Sequence, residues 1–304
     1  GETPLFHLER EMRHSFPALD FRPEIGSIQN SARLDEVLRR YAPSAIFHAA
    51  AYKHVPLMEA HVCEAVENNV FGTYKVAAAA IRHNVKDFVL ISSDKAVRPA
   101  NVMGATKRVA ELLILALNAS QKTKFVSVRF GNVLGSNGSV VPIFREQIAA
   151  GGPVTVTHPE MRRYFMTIPE AAQLVLQAFS MGSGGEVFVL DMGEPVKIVD
   201  LARKMILLSG FAPDRDIKIA FTGVRPGEKM YEELSLLEES TVPTRHEKIR
   251  VFVGNGLSKP IDSYLDALRH QVDRRDAENL IRILHEMVPD YTPCERNQTE
   301  MALS

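Results

Sequence analysis

The feature that most constrains this chain is the run Asp87-Phe88-Val89-Leu90-Ile91, which passes directly into Ser92-Ser93-Asp94-Lys95. Short, apolar and largely β-prone, it has the composition of a strand buried on both faces, and such strands belong to parallel sheets covered by helices on each side. Open parallel sheets bind ligands in the crevice beyond the carboxyl ends of their strands. Four polar residues at that point are candidates for chemistry, although strand ends also use Ser and Asp as ordinary turn formers.

Beyond Pro99 a helix is predicted. Asn101 suits its N-cap, and Ala105, Val109, Leu112, Leu113 and Ala116 recur at helical spacing as its apolar face. Met103 and Lys107 lie one turn apart at its start, where side chains point back toward the helix N-terminus. An acid (Asp94), two lysines (Lys95, Lys107) and two hydroxyls (Ser92, Ser93) would thus converge. A capped strand end carrying an ordinary ion pair is the other reading of the same residues.

The strand and helix pattern repeats on either side. Residues 4–14 are predicted helical, and 21–25 extended, leading into Gly26-Ser27-Ile28. Asn30 or Ser31 then caps a helix carrying Leu34, Val37, Leu38 and Tyr41. A strand at 45–47 runs into His48-Ala49-Ala50-Ala51, where small side chains let a ligand approach the backbone. A mostly helical stretch, 56–84, precedes the central strand, and another strand follows at 124–130. This alternation predicts a Rossmann-like, doubly wound parallel α/β sheet over residues 1–135. From Gly131 glycine and proline become frequent. A smaller α/β domain is predicted at 136–290, with helices at 140–150, 168–181, 197–209 and about 260–289, and strands at 153–158, 186–191 and 216–221. A polar tail, 291–304, is expected to fray.

Composition excludes several classes. The 304 residues are 45% hydrophobic with a net charge of -1, so no overall field draws nucleic acid or an anionic membrane. The two cysteines, Cys63 and Cys294, are far apart, which argues against a disulfide framework. No apolar run reaches transmembrane length. His48, His54, His61 and Cys63 match no zinc spacing, so no metal is expected. A Gly-x-Gly-x-x-Gly turn is absent, and Gly131, Gly135 and Gly138 are wrongly spaced to replace it. Arg162-Arg163 and Arg225-Pro-Gly-Glu-Lys229, the latter predicted at a helix start, offer guanidinium forks suited to phosphate. A solvated basic loop is the alternative. The chain begins at Gly1 and enters at once on Phe6, Leu8 and Met12, as a helix already under way would, which suggests truncation.

Taken together, His48-Ala-Ala-Ala-Tyr-Lys-His-Val-Pro56, Asn68-Asn-Val-Phe-Gly-Thr73, Ser92-Ser-Asp-Lys-Ala-Val-Arg-Pro99, Asn101-Val-Met-Gly-Ala-Thr-Lys107, Arg129-Phe-Gly-Asn-Val-Leu-Gly-Ser136, Arg163-Tyr-Phe-Met166 and Arg225-Pro-Gly-Glu-Lys229 closely resemble the UDP-N-acetylglucosamine 4,6-dehydratases. These are extended short-chain dehydrogenase/reductases of bacterial surface-polysaccharide synthesis, and the likeness is greatest to their large WbpM/CapD-type branch. The resemblance implies a further segment ahead of Gly1 carrying the first strand, the glycine-rich turn and the second strand. It also implies N-terminal membrane spans in many large members, hence a place on the cytoplasmic face, and a homo-oligomer.

By the same resemblance, NAD or NADP would touch Gly26, Ser27, Ile28, His48, Ala49, Ala50, Asn69, Lys107 and Val133. The UDP-sugar would meet Lys53, Asn132, Arg163, Arg225 and Glu228. The catalytic set would be Ser93, Asp94, Lys95, Met103 and Lys107, with Met103 where short-chain enzymes usually place Tyr. Elimination of water from a 4-keto sugar needs a base and an acid; Lys95 and Asp94 would serve if burial and Lys107 lower the pKa of Lys95 and if the strand ends early enough for both to face the sugar. A UDP-hexose 4-epimerase and an inactive sugar-nucleotide-binding fragment are the rival readings.

Overall fold

Phe88, Leu90 and Phe125 pack to one side of the central sheet, and Val89, Val126 and Val128 to the other, so each strand buries both faces. The structure, a computed structural model, describes residues 1–119, 122–136, 138–233, 241–252, 257 and 259–293. Its helices are α1 (Glu2–Ser15), α2 (Ser31–Tyr41), α3 (Val55–Ala60), α4 (Val62–Ala65), α5 (Thr73–Arg82), α6 (Val102–Asn118), α7 (Val140–Ala149), α8 (Ile168–Met181), α9 (Ile198–Leu208), α10 (Ile261–Asp273) and α11 (Ala277–Met287). The strands are β1 (Ala45–His48), β2 (Asp87–Ile91), β3 (Lys124–Arg129), β4 (Asn132–Val133), β5 (Val154–Val156), β6 (Arg162–Arg163), β7 (Phe165–Met166), β8 (Val187–Leu190), β9 (Val196–Lys197), β10 (Ile219–Phe221), β11 (Thr241–Pro243) and β12 (Ile249–Phe252).

The main sheet has the order β1-β2-β3-β8-β12-β11, parallel from β1 to β8 and antiparallel thereafter. It is a parallel-dominated, doubly wound α/β sheet. On one face lie α4 to α6 together with α10 and α11; on the other lies α8. Strands β8, β12 and β11 come from beyond residue 135, whereas β5 and β10 pair with each other and share a separate core with α7 and α9. Among the described residues no helix is long and apolar enough to cross a membrane, and no three metal-ligating side chains cluster. Cys63 is buried as a free thiol, and Cys294 lies outside the described residues.

The stretch 56–84 is mostly helical, as expected, with a break at His61 and a π-helical part, Val66–Gly72, whose widening turns both Asn68 and Asn69 into the interior. Three other readings need correction. Strands β11 and β12 were not anticipated, because Thr244 to Lys248 between them is polar and each strand is short. Arg225 to Lys229 forms a turn rather than a helix start, with Gly227 at φ 75°. The start of the tail expected to fray is anchored, since Tyr291 is buried and the Thr292 N–H donates to the Pro99 carbonyl at 2.9 Å; the rest of that expectation, at 294–304, lies outside the described residues.

Candidate active site

β2 ends at Ile91, and the Ser92 N–H is still held by the Val128 carbonyl at 2.8 Å. The chain then turns. Asp94–Ala96 is a 3-10 turn capped by Ser93, whose Oγ accepts from the Lys95 N–H and donates to Asp94 Oδ1 at 2.8 Å. Because the strand has ended, Asp94 and Lys95 no longer point to opposite faces, and Lys95 Nζ donates to Asp94 Oδ1 at 3.0 Å. Asp94 is 1% exposed, and its Oδ2 is buried without a hydrogen-bond partner. Gly131 lies beside that oxygen: a Cβ there would stand 3.1 Å from it.

The turn rests on the first turn of α6, and Gly104 makes the approach possible. A Cβ on Gly104 would lie 2.1 Å from the Lys95 carbonyl oxygen, a backbone atom with no freedom to swing aside. Gly104→Ala is therefore expected to lower stability by about 1–3 kcal/mol or more, read as a fall in the urea midpoint at unchanged m-value. Asn101 caps the same turn through Oδ1, accepting from the Gly104 N–H at 2.7 Å, while its Nδ2 donates to the Gly227 carbonyl at 2.9 Å. One side chain thus starts the helix and fastens the 225–229 turn to it.

Lys107 reaches back to β2 as the helical spacing predicts, donating from Nζ to the Ile91 carbonyl at 2.6 Å. Burial pulls its pKa down to about 8, against an opposing effect of Glu111. Glu111, one turn on, is buried and held by Arg129 in a two-pronged pair at 2.8 and 2.8 Å, by Arg108 at 2.9 Å and by Ser92 Oγ at 2.5 Å. Burial opposes its charge, but these partners prevail and bring its pKa down to about 2. The pair joins the ends of β2 and β3 to α6. No sequence motif announced it, because a lone Glu in a helix resembles a solvated face.

Lys95 departs from expectation. Burial favours the neutral amine, yet the carboxylates of Asp94 and Glu232 outweigh it and raise the pKa above the ordinary lysine value; the anticipated lowering falls to Lys107 instead. Glu232, missed in the sequence, has its Oε1 3.6 Å from Lys95 Nζ and 3.8 Å from Arg163 Nε.

The remaining sequence candidates spread along the crevice. His48 is buried, its Nε2 2.9 Å from Thr73 Oγ1; since that hydroxyl donates to the Asn69 carbonyl, Nε2 carries the proton. Burial first, and the Lys107 charge second, bring the His48 pKa down to about 3, so the ring is neutral. Asn69 uses both ends of its amide to pin the backbone of Tyr52 and donates also to Thr106. Ala49 and Ala50 are exposed beyond β1, as are Gly26 and Ser27; Ile28 packs toward Gly72. Met103 is buried in the core of α6. Asn132 and Val133 form β4, with Asn132 Nδ2 donating to the Tyr164 carbonyl. Arg163 donates to the carbonyls of Arg162, Lys229 and Met230, so its guanidinium braces the 225–233 segment. Arg225 is exposed and grips Glu228, whereas Lys53 lies exposed beyond β1.

Lys107, Ala49 and Ala50 line the carboxyl ends of β1 and β2, and an ammonium has three donors of which Ile91 takes one. Small exposed residues beside an ammonium with donors to spare suit a polar ligand such as a dinucleotide. The arrangement as a whole offers a hydrogen-bonded acid and base, a second lysine, Lys107, whose pKa is lowered, and a segment of mixed charge, 225–233, held against them.

Residues 1–253 match the family model described as "Polysaccharide biosynthesis protein". The capsular polysaccharide biosynthesis protein CapD of Staphylococcus aureus is 52% identical over 93% of this chain and 47% of its own length. The probable polysaccharide biosynthesis protein EpsC of Bacillus subtilis is 57% identical over 77% of this chain and 39% of its own. The chain thus spans less than half the length of these curated relatives. Among solved structures, Pen from Bacillus thuringiensis superposes with a TM-score of 0.74 at 39% identity, covering 83% of this chain and 78% of that one. By sequence and by fold, the chain belongs to the polysaccharide biosynthesis protein family that includes CapD and EpsC.

Proposed function

We propose that this chain carries the catalytic centre of a nucleotide-sugar 4,6-dehydratase, converting UDP-N-acetylglucosamine to its 4-keto-6-deoxy derivative. The observation that carries the reading is the Asp94–Lys95 hydrogen bond on a turn just past β2, three residues beyond the Ile91 carbonyl that Lys107 holds. NAD or NADP bound along β1 and Lys107 would supply hydride acceptance at sugar C4 and hydride return at C6.

The chain's own work is proton transfer. Shifting one proton from Lys95 to Asp94 along their 3.0 Å hydrogen bond makes a neutral amine and a neutral acid at once. Once C4 is a ketone, Lys95 takes the C5 proton. The electron pair left behind forms the C5–C6 double bond as the C6–O bond breaks, and Asp94 gives its proton to the departing hydroxide, which leaves as water. The pair returns to ammonium and carboxylate, Lys95 can then protonate C5 as hydride arrives at C6, and the proton that the 4-hydroxyl sheds as C4 is oxidised replaces the one Asp94 has given up. A UDP-hexose 4-epimerase returns hydride to C4 and has no use for such a pair, so the pair favours elimination.

The test uses the protein extended at its N-terminus by the glycine-rich unit that the resemblance implies, incubated with UDP-N-acetylglucosamine and a catalytic amount of NAD+ or NADP+ in deuterated water. The expected product has lost one water and carries deuterium at C5, with no growth of reduced cofactor. Reduced cofactor accumulating in step with product, or a C4 epimer of unchanged mass, would overturn the reading. The 304-residue chain alone is expected to bind dinucleotide weakly, for want of the helix N-terminus and backbone amides that hold the pyrophosphate.

A further inference from the structure

We propose that Glu232 is a positioning residue that sets the proton occupancy of Lys95, holding its amine as the ammonium in a site completed by the 225–233 segment. The proposal rests on the reading of Lys95 as the base. Its ground is geometric: the Glu232 side chain is 4% exposed, and one of its oxygens stands between two cations, 3.6 Å from Lys95 Nζ and 3.8 Å from Arg163 Nε. A buried carboxylate without cations would be costly, so both partners are part of its presence there.

Three charged groups act on Lys95. Asp94 comes from its own turn, Glu232 from the 225–233 segment, and Arg163 from β6; α6 meets the turn through Gly104. Asp94 and Glu232 favour the ammonium, and Arg163 opposes it. Glu232 therefore fixes how readily Lys95 surrenders its proton, and Arg163 sets how strongly Glu232 does so. The segment that delivers Glu232 is held by Asn101 on Gly227, by Lys229 Nζ on the Val97 carbonyl at 3.2 Å, and by Arg163 on the carbonyls of Lys229 and Met230. Docking of the segment thus adds a second carboxylate to the one Asp94 already holds against the lysine.

The Lys95 side chain is 17% exposed, enough for a small acylating reagent to reach its amine. Trace labelling of the 304-residue chain with acetic anhydride across a pH series, read by mass spectrometry at Lys95, reports its proton occupancy without substrate or cofactor. In Glu232→Gln the labelling curve is expected to move down by about one pH unit, so that Lys95 labels about tenfold faster on its rising limb. Arg163→Gln should move the curve the opposite way, a pair of shifts that general loosening of the site would not give. Glu232→Asp, with its charge drawn back from Nζ, serves if Glu232→Gln does not fold, and should shift in the same direction by less. An unchanged Lys95 curve in whichever folded Glu232 variant is measured, or downward shifts in both the Glu232 and Arg163 variants, overturns the proposal. A shifted curve in a protein whose extended form makes no 4-keto-6-deoxy product would overturn the dehydratase reading and leave the role of Glu232 standing.

Discussion

Lys95→Met in the N-terminally extended protein is expected to stop deuterium entering sugar C5 while still allowing some reduction of bound cofactor by the sugar. Losing a positioned base costs about a hundred- to ten-thousand-fold, far more than the packing change of replacing one side chain by an unbranched apolar one. Lys107→Met should separate from it by failing earlier. Without the ammonium that Lys107 holds against the Ile91 carbonyl, hydride transfer itself should fall, and reduced cofactor should no longer appear in a single turnover. With a pKa near 8, Lys107 loses its charge as the pH rises through that value, so hydride transfer dependent on that charge should decline on the alkaline side. Full deuterium incorporation at C5 by Lys95→Met would move the base role to another residue.

The second large effect is structural. Arg129→Leu is expected to cost about 3–5 kcal/mol, because it leaves Glu111 buried with only part of its cationic support. Glu111→Leu should cost a comparable amount for the mirror reason. The double substitution should recover much of the loss, as apolar replacements of buried pairs often do, giving a coupling energy of several kcal/mol in a denaturant cycle. Additive losses would show that Glu111 and Arg129 do not act as a pair. The acid limb of the stability curve is a further readout. Glu111 has a folded pKa near 2 against an ordinary value of 4.5, so the stability it confers is present above pH 4.5 and is lost as the pH falls toward 2; Glu111→Leu should flatten that part of the curve.

What the sequence made legible follows from how locally each feature is encoded. The Asp94–Lys95 turn could be seen because an apolar run breaks abruptly into polar residues, and Lys107 because helical spacing alone carries it back to the strand end. Asn101 was legible as a cap, but its second bond, to Gly227, joins residues whose proximity only the fold creates. Glu232 was hidden for the same reason. Its neighbours Tyr231 and Glu233 are more exposed, and nothing in the sequence separates the buried acid from the one beside it. The sign of the Lys95 shift went astray too, since burial alone argues for a lowered pKa and the two carboxylates, Asp94 ahead of Glu232, together reverse that. Strand β12 was missed because Ile249-Arg-Val-Phe252 alternates over too few residues to be told from a loop beside its charged neighbours.

That last strand carries a consequence for how the protein is made. Phe252 lies with its ring 4.7 Å from the Arg129 guanidinium and 5.2 Å from that of Arg108, roofing the cations that hold Glu111. Farther on, Tyr264, Leu268, Leu280, Leu284 and Tyr291 enter the same core as Phe88 and Val109. A chain emerging from the ribosome therefore has its central strands and its α6 helix long before it has the residues that cover them. Until about residue 290 has been released, the nascent first half exposes an unfinished apolar face and an unroofed ion pair, the kind of surface through which partly folded chains aggregate.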